Sequence, residues 1–282
     1  MSDGDHLVAP APYLPFLDPA QARAPGLFPL DPKTWVERDR AELPQLRLRD
    51  ALVSDHGDAV AAQQPLAIPA VGELVDLLAQ HLETEHGLDR SLNRLVRADG
   101  DRIDLRGGVE SLARLTQEDW LILVPDADGV PILQAGALCF PAGWALQDKI
   151  GRSLDGVHEP VPEYAEALSA RLERIFRALH PDRPLQRFNF SVTGSPKLPC
   201  FDHADLYVHA PGGPYLRVER QTLRRLPEAL AIAFGVKTYI TPLSALTANE
   251  RAVLADHYAA LSPGYVLYRH RDAFPDALIR GT

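Results

Sequence analysis

Apolar residues at 74, 75, 77, 78 and 82 of GELVDLLAQHLETEH (72–86) recur along one helical face and predict an amphipathic helix. His81 and His86 lie within it, five residues apart and off a common face, and are expected at the surface. At residue 118 the period changes. EDWLILVPDADGVPILQAGALCFP sets two apolar runs on either side of DADG, the pattern of a β-hairpin. CFPAGW leads into a short helical stretch, ALQDKIGRSL. A second helix is predicted in VPEYAEALSARLERIFRALH (161–180), with apolar positions 165, 168, 172, 175, 176 and 179, and HPDRP ends it. Four more runs read as strands: RFNFSV (187–192), DLYVHA (205–210), YLRVERQTLRRL (215–226) and AIAFGVKTYITPL (231–243). Most alternate as half-buried antiparallel strands do. LTANERAVLADHYAAL closes the series as a helix, with Thr247 or Asn249 as its cap.

A hairpin, then helices, then about three antiparallel strands predicts an α+β fold. The expected form is a PAS-like five-stranded antiparallel sheet with helices on one face, able to enclose a small cofactor. Residues 116–282 would form this domain, including the C-terminal helix. Residues 1–115 would form an N-terminal arm and helical region packed on it. The first 45 residues are rich in Pro, Asp and Ala, yet carry Tyr13, Phe16, Phe28 and Trp35. A disordered tail has fewer aromatics, so an extended arm lying on the domain surface is expected.

Composition narrows the function. The chain has 282 residues and a formal charge of -9, which argues against a nucleic-acid binder. No run of 18 apolar residues exists to cross a membrane, and MSDGDHLVAPAPYLPF lacks the basic start and apolar core of a secretory signal. A cytoplasmic protein is expected. Its two cysteines, Cys139 and Cys200, cannot hold an iron–sulfur cluster, which normally takes four thiolates. P-loop, dinucleotide, nucleophile-elbow and zinc-spacing motifs are all absent from the sequence.

Two stretches carry candidate chemistry. In GVHEPVPEY (156–164), His158 stands ahead of two prolines that fix the backbone. Such a frame suits a ligand that must point one way, and equally a stiff loop. In LRVERQTLRRLP (216–227), alternation puts Leu216, Val218, Arg220 and Thr222 on one face, with Arg217, Glu219, Gln221 and Leu223 on the other. The pattern leaves open which face looks inward. Tyr239 shares a face with Lys237 and with Gly235, whose missing side chain marks the close approach of a ligand or a bulge. Arg187 and Asn189 likewise share a face.

PYLPFLDP (12–19), PLDPKTW (29–35), QEDW (117–120), CFPAGW (139–144), DKIGRSLDGVHEPVPEYAE (148–166), RFNFSV (187–192), LRVERQTLRRLP (216–227) and KTYITPL (237–243) together resemble one family. It is the α subunit of haem-dependent oxidative N-demethylase. The strings follow in family order. The chain departs from the pattern at Phe190, where a Trp is common, and at Glu163, where a Gly is common.

The resemblance implies a PAS-like domain that binds haem b and oxidises a methyl group of a small secondary amine such as dimethylamine. The reaction would use O2 and release formaldehyde. Electrons would come from NADPH through partner subunits carrying flavin and an iron–sulfur cluster. Within that frame His158 is the expected axial ligand to iron, with His180, His203, His209 and His257 as rivals, His209 foremost because it falls on a predicted strand. Lys149 and Arg152 are expected at the haem propionates, as cofactor-binding residues with Arg187, Gln221 and Lys237. Glu219 would receive the protonated amine, Arg220 would meet a propionate or bound oxygen, and Tyr239 would donate to bound oxygen. The same frame would serve a haem-binding sensor, or a haem monooxygenase of another nitrogen compound.

Overall fold

The computed structural model describes residues 8–22, 26–153, 156, 174–261, 274, 279 and 281. His158 and the greater part of the helix predicted over 161–180 lie outside them; residues 174–178 at its end are helical.

Five long strands build one antiparallel sheet. They are β6 (Asp119–Pro125), β7 (Pro131–Ala137), β8 (Leu185–Thr193), β9 (Tyr215–Arg225) and β10 (Ile232–Pro242). Two short strands from the N-terminal region, β1 (Phe28–Pro29) and β2 (Ala61–Gln63), pair at its edges, giving the order β1-β8-β9-β10-β6-β7-β2. The sheet therefore has seven strands rather than the five expected. The two extra strands are two and three residues long, too short to show a period of their own. A separate small sheet joins β3 (Arg90–Ser91), β4 (Arg94–Val96) and β5 (Arg102–Asp104).

The helices are α1 (Pro19–Ala22), α2 (Glu42–His56), α3 (Ile68–His86), α4 (Val109–Leu115) and α5 (Ala248–Ala259). Glycine at 87, in the left-handed region, stops α3. Thr247 caps α5 in a reciprocal capping box with Glu250. DLYVHA does not form a strand: His203–Tyr207 is a 3-10 helix, capped by the Asp202 carboxylate accepting from Ala204 N–H. Asp at that position offers the backbone a local partner that competes with strand pairing. His81 is buried rather than at the surface, and its Nε2 accepts from the Val36 N–H at 3.4 Å. His86 Nε2 lies 3.2 Å from the Val36 carbonyl, so the two imidazoles clasp one residue of the arm, on its N–H and its C=O sides.

Both sheet faces are covered, by different parts of the chain. Trp120, Ile122, Ala135 and Ala233 share one face and pack with α3 and α4. Further along that face Val218, Leu216 and Phe190 pack with α5 and with Phe16 of the arm. The other face holds two smaller clusters. Leu121 and Leu133 meet Leu138 and Leu146, while Leu123, Leu223 and Ile232 meet Phe176 and Leu179.

A buried ion pair sets where the hairpin exits. Arg49 of α2 lies 2.9 Å from Asp119 at the start of β6 and donates to the carbonyls of Ala113, Gln117 and Glu118. Asp119 in turn accepts from the backbone N–H groups of Cys139 and Phe140. Each nitrogen of the buried guanidinium has a partner, as a buried charge requires.

Candidate functional site

Alternation along β9 divides the expected site residues between the two faces. Arg220 pairs across with Lys237, and Val218 with Tyr239, on the arm face. Arg187, Asn189, Glu219 and Gln221 share the opposite face, with Arg217 and Thr238.

On the arm face the protein itself holds Arg220, Lys237 and two phenols, while Arg224 on the same face lies over the Trp35 ring with its buried Nε unbonded. Arg220 donates to the carbonyls of Thr34 at 2.6 Å and Trp35 at 3.2 Å, and lies 3.3 Å from the Glu37 carboxylate. The Tyr13 and Tyr239 hydroxyls both donate to that same carboxylate. Lys237 bonds the Glu37 carbonyl at 2.8 Å and Gln117 at 2.6 Å, and pairs with Asp39 at 3.0 Å. Burial, reinforced by Glu37, pushes the Tyr13 phenol up to about 12, and the same two causes raise Tyr239, so both remain donors at neutral pH. Glu37 is the anion that the guanidinium of Arg220 needs. Its place in VERDR, an ordinary charge run, gave no sign of this. Gly235 does mark a close approach, and the visitor is Trp120 rather than a ligand: a Cβ there would fall 2.6 Å from the indole and 2.8 Å from Thr222 Oγ1.

On the opposite face Glu219 is held by three donors. Arg217 Nε lies 3.3 Å from Oε1, while Asn189 Nδ2 and Gln221 Nε2 approach Oε2 at 3.3 and 3.1 Å. The carboxylate keeps 12% of its side-chain exposure, against 1% for Arg217. Phe234 and Val236, beside it on β10, are half-buried, and Phe234 touches both small clusters. The centre of this face thus sets a polar group, Glu219 with Arg217, Asn189, Gln221 and Thr238, beside the half-buried apolar side chains of Phe234 and Val236, between two packed clusters.

A cavity of about 450 Å³ is lined by Gly143, Trp144, Asp148, Lys149, Arg152, Phe201, Asp202 and His203. Trp144 belongs to the Leu121–Leu146 cluster, which puts this cavity on the same side of the sheet as Glu219. Its walls carry two aromatic rings, the imidazole of His203, two cations and two carboxylates, and its volume lies within the range of small-molecule sites. Lys149 and Arg152 both line it. They sit on a 3-10 turn, Leu146–Asp148, and the residues after it rather than on the helix expected over ALQDKIGRSL; Leu133 N–H bonds the Arg152 carbonyl along the β7 edge.

The described histidines separate clearly. His203 lines this cavity. His209 is exposed, off any strand, with its ring 5.5 Å from Phe274, which removes the reason for ranking it first among the rivals. His180 is exposed beside Asp182, and His257 stacks on Phe190. His158 lies outside the described residues. Among the described residues no cluster of three His, Cys, Asp or Glu side chains is placed to hold a metal ion. Cys139 and Cys200 are free thiols, both buried, and burial raises both. No described helix is long and apolar enough to cross a membrane.

The family model for haem-dependent oxidative N-demethylase, alpha subunit-like, matches residues 26–279, a span that takes in both sheet faces, the Glu219 carboxylate and the Lys149–Arg152 cavity; the chain belongs to that family.

Proposed function

We propose that the protein is the haem-bearing subunit of an oxidative N-demethylase acting on a small secondary amine of the dimethylamine type, with O2 as oxidant and formaldehyde released. The observation that carries this reading is the Glu219 carboxylate, anchored by Arg217, Asn189 and Gln221 in the middle of a half-buried sheet face. A secondary amine is mostly protonated at neutral pH, and an anchored carboxylate beside aromatic surface is what a small ammonium ion seeks.

Haem suits the residues on this side of the sheet. Phe234 and Val236 offer an apolar floor left half-covered between two packed clusters. Lys149 and Arg152 share a cavity walled by Trp144 and Phe201, and cations in such a place are natural partners for propionates. The hairpin, an intervening helical segment and three further antiparallel strands keep the element order of a PAS-like domain. His158 would hold the iron, and Arg187 would be a further cofactor contact. Bound there, haem supplies the iron centre at which O2 is activated for oxidation of the amine's methyl group.

The chain's own work is then to bind and orient the amine. Glu219 takes the ammonium proton's charge and fixes the nitrogen, leaving a methyl group to project over the floor. Asn189 and Gln221 hold the carboxylate while water is displaced around it. Arg220, Lys237 and Tyr239 fall outside this site and secure the arm. A chain with two buried cysteines calls for its electrons from elsewhere, here NADPH through partner subunits carrying flavin and an iron–sulfur cluster. The family description, an alpha subunit, agrees with such partners.

The test is direct. The purified protein should show a Soret band and, with an electron donor and O2, release formaldehyde from dimethylamine. Haem bound without formaldehyde from any small secondary amine would sink the activity; no Soret band after haem reconstitution would sink the cofactor as well.

A further inference from the structure

Arg217 joins the two halves of this side of the sheet. Its Nη2 donates to the Phe140 carbonyl at 2.8 Å and its Nη1 to the Leu198 carbonyl at 3.3 Å, while Nε faces Glu219 at 3.3 Å. Phe140 opens the strip that carries Gly143 and Trp144 into the cavity, and Leu198 opens the strip that carries Phe201 and His203. Those strips are themselves stitched together, Gly143 N–H to the Cys200 carbonyl at 2.7 Å and Cys200 N–H to the Pro141 carbonyl at 3.1 Å. One guanidinium therefore binds both strips that run on to the cavity and, through Nε, the Glu219 carboxylate. Burying a charge this deeply is costly, and a well-packed apolar residue is often as stable in such a place. Stability alone is thus a weak reason for an arginine here.

We propose that Arg217 is a positioning residue of the amine site, which holds Glu219 in one orientation relative to the cavity wall and so sets the preference for small protonated amines. It acts through Glu219 and does not touch the amine. The proposal rests on the reading of Glu219 given above.

A double-mutant cycle tests it by binding rather than by turnover. Dimethylammonium and tetramethylammonium chloride are titrated calorimetrically into the full-length ferric haem protein, as wild type, Arg217→Lys, Glu219→Gln and the double variant. Lysine keeps the charge and loses the planar fork, so Arg217→Lys should weaken dimethylammonium binding about tenfold. In the Glu219→Gln background the same change should matter by less than about twofold, because the group through which it acts is gone. The larger tetramethylammonium should gain on dimethylammonium in Arg217→Lys, as the fixed distance to the wall is released. Unchanged binding in Arg217→Lys, or equal losses in both backgrounds, overturns the proposal.

Should Arg217→Lys fail to unfold cooperatively, Glu219→Asp replaces it. That variant keeps the charge and withdraws the carboxylate from Arg217, and full-strength dimethylammonium binding by it would equally overturn the proposal. If wild type binds neither ion and releases no formaldehyde, the amine reading fails and this proposal with it. If wild type does both and the cycle shows no coupling, only the role of Arg217 fails.

Discussion

Glu219 and Arg220 are adjacent in sequence and leave β9 on opposite sides of the sheet. Glu219 stands among Arg217, Asn189 and Gln221, and Arg220 binds Glu37 and the arm carbonyls of Thr34 and Trp35. Their substitutions should fail differently. Glu219→Gln removes a half-buried charge whose three donors can partly rebond to an amide. It should raise the KM for dimethylamine at least tenfold and, because the buried Arg217 loses its anion but keeps its bonds to the Phe140 and Leu198 carbonyls, lower the urea midpoint by less than the Arg220 change does. Arg220→Met strands Glu37 in a partly buried place and removes two bonds to the arm, which should cost about 3 kcal/mol. Urea unfolding and formaldehyde kinetics on both variants check the contrast; a matched loss of stability would contradict the division of faces.

Gly235 gives a prediction about packing alone. Its Cβ position is already filled by the Trp120 ring and Thr222 Oγ1, at 2.6 and 2.8 Å. Trp120 is fully buried and its indole N–H donates to the Thr116 hydroxyl at 2.9 Å, so the ring cannot swing aside. Gly235→Ala should destabilise the protein by about 1–3 kcal/mol through overpacking. Thermal unfolding measures it, and a neutral result would mean that the indole is less constrained than its contacts imply.

The long elements were readable because each carries its own period. α3, the β6–β7 hairpin, β9, β10 and α5 all fall where apolar spacing or turn residues put them. β1 and β2 were not, since two or three residues cannot repeat a pattern and pair only because the arm and the Val60–Gln63 stretch are carried to the sheet edges. DLYVHA has strand-like residues, but the Asp202 cap wins locally. For the site, alternation assigned Glu219 and Arg220 to separate faces, and the sequence could go no further because the choice of face depends on what covers each. Glu37, the anion of the arm face, and the buried His81 are defined by tertiary neighbours up to 202 residues away, and carry no local signal.

The Arg49–Asp119 pair offers a further test. Asp119→Asn leaves the Arg49 guanidinium buried without its anion and weakens the hold on the Cys139 and Phe140 N–H groups. A loss of about 3–5 kcal/mol is expected. Because Phe140 leads into the strip lining the cavity, haem occupancy should fall as well. Replacing both partners, Arg49→Met with Asp119→Leu, should recover part of the stability while leaving two backbone N–H groups and the three carbonyls that Arg49 held unpaired, so that occupancy recovers less than the unfolding midpoint does. Full recovery of both would show that the strip is placed without Asp119.

His81 makes the arm sensitive to acid, with a definite sign. Burial first, then His86 and Arg224, lower it from the ordinary 6.5 to about 4. Below pH 6.5 the unfolded chain takes a proton that the folded chain refuses until about pH 4. Stability tied to neutral His81 is therefore complete above pH 6.5 and is lost as pH falls through that window. Protonation also ends the ability of Nε2 to accept from Val36 N–H, so the loss is felt at the arm clasp between Trp35 and Glu37. In His81→Gln, which keeps an acceptor and cannot titrate, unfolding temperature should fall less between pH 6.5 and 4 than in wild type. Carboxylates that titrate near pH 4 contribute equally to both proteins and cancel in the difference. Parallel curves would place the acid sensitivity elsewhere.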